Sequence, residues 1–319
     1  MNPVFSVVVP AFNEEEVLAQ SFERLDAVMS GMGEPYELIF VDDGSRDGTA
    51  GILRGLAAEH PQVRTLHFSR NFGHQVAVSA GVDVARGDAI VIIDCDLQDP
   101  PELIPMMAEK WREGYEVVYG KRSQRDGETA LKKLTAWGFY RVLRGMSGVP
   151  IPADTGDFRL IDRRVADVLR AMPEHRRFLR GLFAWMGFRQ TEVLFHRSAR
   201  FAGETKYTLK KMLRLAGDGI LSFSDKPVLW LLGGGIILTA LGAVWLLVRL
   251  ILALCGHAGA IASLAGLMIF LCGLVLTGMG VLGMYITRSY DEVQGRPLYI
   301  VAEKHGFETE ENEGDDGER

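Results

Sequence analysis

The chain has 319 residues, 48% of them hydrophobic, and a formal net charge of −6 at pH 7, enough length for one large domain or two modest ones. The charge belongs to the tail, where Glu308–Arg319 holds seven acids and one base, so the rest of the chain is neutral overall. Cys95, Cys255 and Cys272 are too few and too scattered for a disulfide framework or a zinc site.

The first 120 residues alternate short apolar runs with segments of helical length. The runs Phe5–Pro10, Leu38–Val41, Val63–Phe68, Ala89–Ile93 and Glu116–Tyr119 are β-branched and nearly unbroken, which predicts strands buried on both faces. Between them, Glu14–Met29, Thr49–His60, Gln75–Ala85 and Pro101–Glu113 predict helices. Such alternation gives an α/β domain with a mostly parallel sheet, whose ligands bind at the carboxyl ends of the strands.

Gly120–Arg214 is irregular, aromatic and basic, with 21 Lys/Arg against nine Asp/Glu, so it calls for an anionic partner. Two apolar spans follow, Val228–Leu254 and Ala260–Ile286, each longer than the roughly 20 residues a bilayer crossing needs. Lys210, Lys211, Arg214 and Lys226 precede the first span, Arg288 and Arg296 follow the second, and the connecting loop holds only a His. The positive-inside bias therefore predicts a hairpin anchor with both ends in the cytoplasm. The absence of a basic start before an apolar stretch in Met1–Pro10 argues against a signal peptide, and the soluble part is expected in a reducing compartment. Gly235 and Gly242, and Gly266, Gly273 and Gly280, recur at seven, a seam that would bring the two helices together or pack hairpins between protomers. Before the spans, Leu209, Met212, Leu213, Ala216, Ile220 and Phe223 share one helical face opposite Lys210, Lys211 and Arg214, as in a helix lying in the membrane interface. Thr129–Met146 has a similar composition without a clean two-sided wheel. A nucleic-acid partner would explain the basic block but not its position against two membrane spans.

Three acidic strand ends carry the chemistry. Pro10-Ala11-Phe12-Asn13-Glu14 closes the first strand and Val41-Asp42-Asp43-Gly44-Ser45 the second. Turn formation explains the glycines, and Thr49 is placed to cap the next helix. It does not explain two adjacent carboxylates where ligands bind. Asp94-Cys95-Asp96-Leu97-Gln98 closes the fourth strand, and its paired acids offer hard oxygen ligands to Mg2+ or Mn2+, ions usually held by one or two carboxylates plus substrate phosphates.

With Arg70-Asn71-Phe72-Gly73-His74, Gly120-Lys121-Arg122, Asp154-Thr155-Gly156-Asp157-Phe158-Arg159 and Arg200–Tyr207, these motifs resemble family 2 glycosyltransferases of the GT-A fold. The resemblance is closest to the polyprenyl-phosphate glycosyltransferase branch, the GtrB-like and ArnC-like enzymes related to dolichol-phosphate mannose synthase, and runs from Val4 to about Arg288. Cys95 departs from the usual Ala between the two acids, and the Gln-x-x-Arg-Trp motif of processive synthases is absent. The resemblance implies an inverting, Mg2+- or Mn2+-dependent transferase that passes a sugar, UDP-glucose being the first candidate donor, to polyprenyl phosphate at the cytoplasmic face of the inner membrane. It implies nucleotide-sugar contacts at Pro10, Phe12, Glu14, Val41, Asp43, Asp94, Cys95, Asp96 and Arg122, with Asp43 favoured over Asp42 for the base. It places metal ligands at Asp96 and Gln98, and diphosphate or acceptor-phosphate contacts at Arg122, Arg200 and Lys206. Asp157 corresponds to a suggested catalytic base, although a phosphate acceptor is largely dianionic at neutral pH and can attack without one. A homo-oligomer, with a tetramer as the suspected order, is expected. The expected organisation is a catalytic domain over 1–206, an interfacial helix over 207–227, two membrane helices over 228–287 and a cytoplasmic acidic tail over 288–319. The alternatives are the same fold with a neutral lipid or glycan acceptor, and a membrane scaffold that senses nucleotide-sugars.

Overall fold

The computed structural model describes residues 2–122, 155–175, 177–195, 226–255 and 261–307. Arg200, Lys206, Leu209–Phe223, Thr129–Met146 and the acidic run Glu308–Arg319 lie outside them. The strands are β1 (Phe5–Ala11), β2 (Tyr36–Asp42), β3 (Val63–Phe68), β4 (Ala89–Ile92), β5 (Val117–Arg122), β6 (Thr155–Asp162), β7 (Gln190–Phe195) and β8 (Val301–His305). They form one sheet in the order β7-β5-β6-β4-β1-β2-β3-β8. β1 runs parallel to β2 and β4, β2 to β3, and β5 to β7, whereas β6 lies antiparallel to β4 and β5, and β8 antiparallel to β3.

The apolar runs are unbroken because each face of the sheet has its own core. Phe5, Val7 and Val9 of β1 pack with Leu18, Phe22 and Leu25 of α1 (Leu18–Gly31), Leu53 of α2 (Thr49–Glu59), and Ile104 and Met107 of α4 (Ile104–Arg112). On the opposite face, Val8, Ile39 and Val41 pack with Ala77 and Val78 of α3 (His74–Val84), Val165 and Leu169 of α5 (Arg163–Ala171), and Phe183 of α6 (Leu179–Trp185). Helix α3 lies so close to β1 that a Cβ on Gly81 would sit 2.2 Å from Val8 Cγ1.

The expected strands and helices of the first 120 residues are all present. Helix α1 begins at Leu18, not at Glu14, because the preceding turn is bonded to the loop after β2. Thr49 does not cap α2. The Asp47 carboxylate accepts from Thr49 N at 3.1 Å, and the Thr49 hydroxyl instead accepts from Glu14 N at 2.9 Å. The segment expected to be wholly tail supplies β8, so residues beyond the long helices return to the catalytic sheet.

Helices α7 (Lys226–Leu254) and α8 (Ile261–Val293) touch each other and extend from this domain. Leu241, Val244, Leu247 and Ile251 on α7, and Val275, Leu276, Met279 and Ile286 on α8, are exposed in the single chain, an apolar surface unsuited to water. Leu271–Val293, with mean hydropathy 1.4, is the one stretch among the described residues long and apolar enough to cross a bilayer; in α7 the apolar stretch is the shorter Gly233–Gly242. Helix α8 also runs beyond the expected end at Ile286 to Val293. Among the described residues, a Cβ on Gly242, Gly273 or Gly280 would meet nothing within 4 Å.

Candidate active site

The topology brings the predicted residues to one edge. The carboxyl ends of β1, β2, β4 and β5 share it, and so does the start of β6, because that strand runs the other way. The register that pairs Ile92 with Arg159 carries Asp94 beside Asp157 two residues further on. Arg122 ends β5 on the same edge, opposite Phe195 of β7.

The loops after β1 and β2 are fastened to each other. Asn13 N donates to Ser45 Oγ at 2.9 Å, Arg46 N to Asn13 Oδ1 at 2.8 Å, and Gly48 N to Glu15 Oε2 at 2.6 Å. Asn13 takes φ 54°, a left-handed conformation that Asn tolerates. Beside these loops is a cavity of about 520 Å3, with Phe12, Asn13, Asp42, Ser45, His67 and Arg70 in its walls.

The two adjacent carboxylates where β2 ends have different neighbours. Asp42 lines the cavity, its Oδ1 accepting from Ser45 N at 2.9 Å and its Oδ2 lying 3.1 Å from His67 Nδ1. Burial pushes its pKa up, but bonds from His67 and Ser45 outweigh that and hold the carboxyl below its usual range. Asp43, the favoured base contact, faces the next loop and accepts from Phe72 N at 2.6 Å, Gly73 N at 3.0 Å and Asn71 Nδ2 at 2.9 Å. It therefore shapes the Asn71–Gly73 turn, in which Gly73 takes φ 108°. Pro10 and Val41 face each other in the β1–β2 register and are buried, so those positions can offer a ligand main-chain carbonyls but not open side chains. Glu14 is half-buried at the α1 turn.

At the end of β4, Asp94 and Asp96 flank Cys95, whose thiol packs in the core and is pushed by burial to a pKa of about 12. Cys95 can therefore offer a donor only its main-chain atoms. Leu97 takes φ 55°, a left-handed conformation that disfavours a branched side chain by about 1 kcal/mol or more. The turn it makes lets Asp96 Oδ1 accept from Gln98 N at 3.2 Å. Asp94 Oδ1 is buried and, among the described residues, accepts no hydrogen bond, although His74 Nε2 faces it at 3.4 Å. Among the described residues no group of three His, Cys, Asp or Glu side chains could hold a metal alone. The donor set fits Mg2+ or Mn2+ completed by substrate phosphates.

Asp157 is gripped from three sides. Arg180 of α6 reaches it with Nε at 2.9 Å and Nη2 at 3.2 Å, Gln75 Nε2 lies at 3.3 Å, and His74 Nε2 at 3.4 Å from both Asp157 Oδ2 and Asp94 Oδ1. Burial raises the Asp157 pKa, but Arg180 and then His74 outweigh it and hold the carboxyl well below its usual range. His74 moves the other way: burial lowers it, Asp94 and then Asp157 dominate, and its pKa rises to about 9. A group with a raised folded pKa contributes stability below its unfolded value and loses it as pH climbs through the folded one. The thermal midpoint in detergent is therefore expected to fall from about pH 6.5 through about 9, and His74→Gln to flatten that slope. An equal slope in the variant would show that His74 is not the titrating group.

Sequence reasoning assigned no role to His74, Gln75, Arg180 or His67. The first lies in the quoted Arg70–His74 motif, which was the available signal; Arg180 sits in a short helix with none.

A model described as "Glycosyl transferase family 2" matches residues 6–170, more than half of the chain. The chain belongs to that family. It is 50% identical over 306 residues to the uncharacterized glycosyltransferase YkcC of Bacillus subtilis, covering 95% of each. It is 39% identical to the prophage bactoprenol glucosyl transferase homolog of Escherichia coli over 93% of this chain and 97% of that one. A Shigella flexneri prophage-derived bactoprenol glucosyl transferase is likewise 39% identical, over 94% and 98%. Among solved structures, glucosyl-3-phosphoglycerate synthase of Mycobacterium tuberculosis, in complex with Mn2+, UDP-glucose and phosphoglyceric acid, matches 69% of this chain and 78% of that one at 21% identity and TM-score 0.45. As a family 2 enzyme the chain is a glycosyltransferase with the GT-A sheet.

Proposed function

We propose that this glycosyltransferase moves a sugar, glucose as first candidate, from a UDP-sugar to a polyprenyl phosphate at the cytoplasmic face of the membrane. The carrying observation is the single sheet edge that holds the Asp42–His67 cavity at the ends of β2 and β3 and the Asp94 and Asp157 carboxylates, with Asp96 next in chain, where β4 ends and β6 begins. The cavity accepts the nucleoside, and the diphosphate extends toward Asp96. The bactoprenol glucosyl transferases among its relatives, similar over nearly their whole length, support the acceptor.

Asp96 and Gln98, with Asp94 adjacent, would hold Mg2+ or Mn2+, which when bound supplies positive charge to the leaving diphosphate. An oxygen of the acceptor phosphate forms a bond to the anomeric carbon while the bond from that carbon to the diphosphate oxygen breaks, so UDP departs and the configuration inverts. Two anions must approach each other, and Arg122, Arg200 and Lys206 are the cations assigned to meet them. Asp157 stays ionised beside Arg180 and His74, a state suited to holding neighbouring groups in place and poorly suited to taking a proton. That favours a phosphate acceptor, which brings its own charge, over a neutral hydroxyl, which needs a base.

In this reading α7 and α8 cross the membrane as a hairpin with both termini cytoplasmic, and residues 207–227 lie in the interface where the lipid phosphate arrives. The open glycine faces suit packing between protomers of a homo-oligomer, a tetramer being the expected order. A panel of radiolabelled nucleotide-sugars offered with undecaprenyl phosphate in detergent tests the donor. Label from UDP-glucose should enter the organic phase; label from another nucleotide-sugar alone would reassign the sugar.

A further inference from the structure

Strand β8 follows helix α8, yet it supplies a wall of the cavity assigned to the nucleoside. It pairs antiparallel with β3 so that His67 meets Glu303 and Phe68 meets Val301, and the register shifts between them. Ala302 is the extra residue of this bulge, a feature that re-aims side chains at a strand edge. Ala302 and Glu303 both line the cavity, across from the loops after β1 and β2. Arg54 of α2, another lining residue, donates from Nε to Glu303 Oε2 at 2.9 Å and from Nη2 to Glu303 Oε1 at 3.3 Å. Arg54 and Glu303 are each about half exposed, with side chains 47% and 46% accessible, so burial does not explain the pairing.

The segment leading to β8 is tied down along its length. His175 Nδ1 lies 2.6 Å from Glu292 Oε2 near the end of α8, and His175 N donates to Glu292 Oε1 at 2.9 Å. The Tyr299 ring stacks on Phe68 at 5.1 Å, and its hydroxyl donates to Asp83 Oδ2 at 3.0 Å. Ser69 N donates to Ile300 O at 3.0 Å. The wall is thus fixed both to the catalytic domain and to the helix assigned to the membrane.

We propose that β8 is a specificity wall of the donor site, in which Glu303 positions the Arg54 guanidinium to recognise a nucleobase with a carbonyl edge. This rests on the nucleoside occupying the cavity. A guanidinium offers five donors and no acceptor, and Glu303 occupies its Nε–Nη2 side, leaving the Nη1 side of the fork for a ligand. Uracil and guanine present carbonyl oxygens at the edge where cytosine and adenine present amino groups, so a positioned Arg54 favours the first pair. A strand attached to the end of α8 then sets part of the donor preference.

The test is calorimetric titration of the full-length chain in detergent with UDP and with CDP, whose bases differ at the carbonyl-or-amino position and at the adjacent ring nitrogen. The wild type should prefer UDP. Arg54→Met and Glu303→Gln should each reduce the UDP-to-CDP affinity ratio about tenfold, with the thermal midpoint and the acceptor KM unchanged. Ala50→Trp, which fills the cavity from α2 and leaves the β8 sequence unaltered, should abolish binding of both nucleotides. An unchanged ratio in both β8-wall variants, with binding lost in Ala50→Trp, overturns the role of β8 and leaves the cavity assignment standing. Normal UDP binding in Ala50→Trp, or no discrimination by the wild type, overturns the proposal; in the first case the cavity assignment falls with it.

Discussion

Asp96→Asn is expected to lower turnover on the order of a thousandfold while leaving the fold intact, because the diphosphate would leave without a metal-bound carboxylate beside it. Local geometry supports this choice. Leu97 is held at φ 55° in a turn that lets Asp96 Oδ1 accept from Gln98 N just beyond Asp94. A left-handed Leu persists only where its surroundings over-determine it, and strain of this kind clusters at ligand sites. The substitution is nearly isosteric and preserves an acceptor for Gln98 N, so stability should change little. Initial rates across a Mg2+ and Mn2+ titration check it: the wild type should fall to background in excess EDTA and recover with either ion. Full activity in EDTA, or an Asp96→Asn enzyme with normal turnover, would remove the metal from this site.

The second large effect is expected at Arg180. Arg180→Met keeps the apolar stem but leaves the Asp157 carboxylate, 7% accessible, without its strongest partner. Breaking a buried pair from one side typically costs about 3–5 kcal/mol, so the variant should lose stability on that order and turnover by about a hundredfold. The double variant Asp157→Asn with Arg180→Met should recover much of the stability, since no unpaired charge remains. The pH profile separates positioning from base catalysis. With Asp157 held well below the usual carboxylate range, the wild-type kcat/KM should show no limb from it near neutral pH. Arg180→Met should raise the Asp157 pKa and bring such a limb into view. A neutral-range limb in the wild type that vanishes in Asp157→Asn would make Asp157 a base and favour a neutral acceptor.

The elements legible in the sequence were those whose apolar pattern is set by burial on two faces. β1 to β4 needed no partner information, because both cores demand Val, Ile, Leu and Phe there. β6 escaped notice as a strand because its Asp157 and Arg159 are buried in polar contacts, which breaks the apolar run. β8 escaped because an edge strand is only partly covered, so it keeps exposed polar residues such as Glu303 and Lys304 instead of an apolar run. At the site, the acids on strand ends were legible because position plus charge identifies them. The split between Asp42 and Asp43 was not, since neighbouring residues point to opposite sides of a strand and only the packed loops decide which side is the cavity. Arg180 was invisible because its partner Asp157 comes from a distant strand, and the antiparallel return of β6 creates the pairing.

The most direct test offers the purified full-length enzyme UDP-glucose with either undecaprenyl phosphate or undecaprenol, acceptors that share a chain and differ only in the phosphate. Radiolabel extracted into organic solvent is measured for each, for the wild type and for Lys206→Met. The prediction is a labelled lipid only with the phosphate, released by mild acid as expected for a glycosyl phosphodiester, and a Lys206→Met enzyme with raised acceptor KM but unchanged UDP affinity. Equal labelling of undecaprenol, or normal acceptor kinetics in Lys206→Met beside a dead Asp157→Asn enzyme that still binds UDP, would contradict transfer to a lipid phosphate.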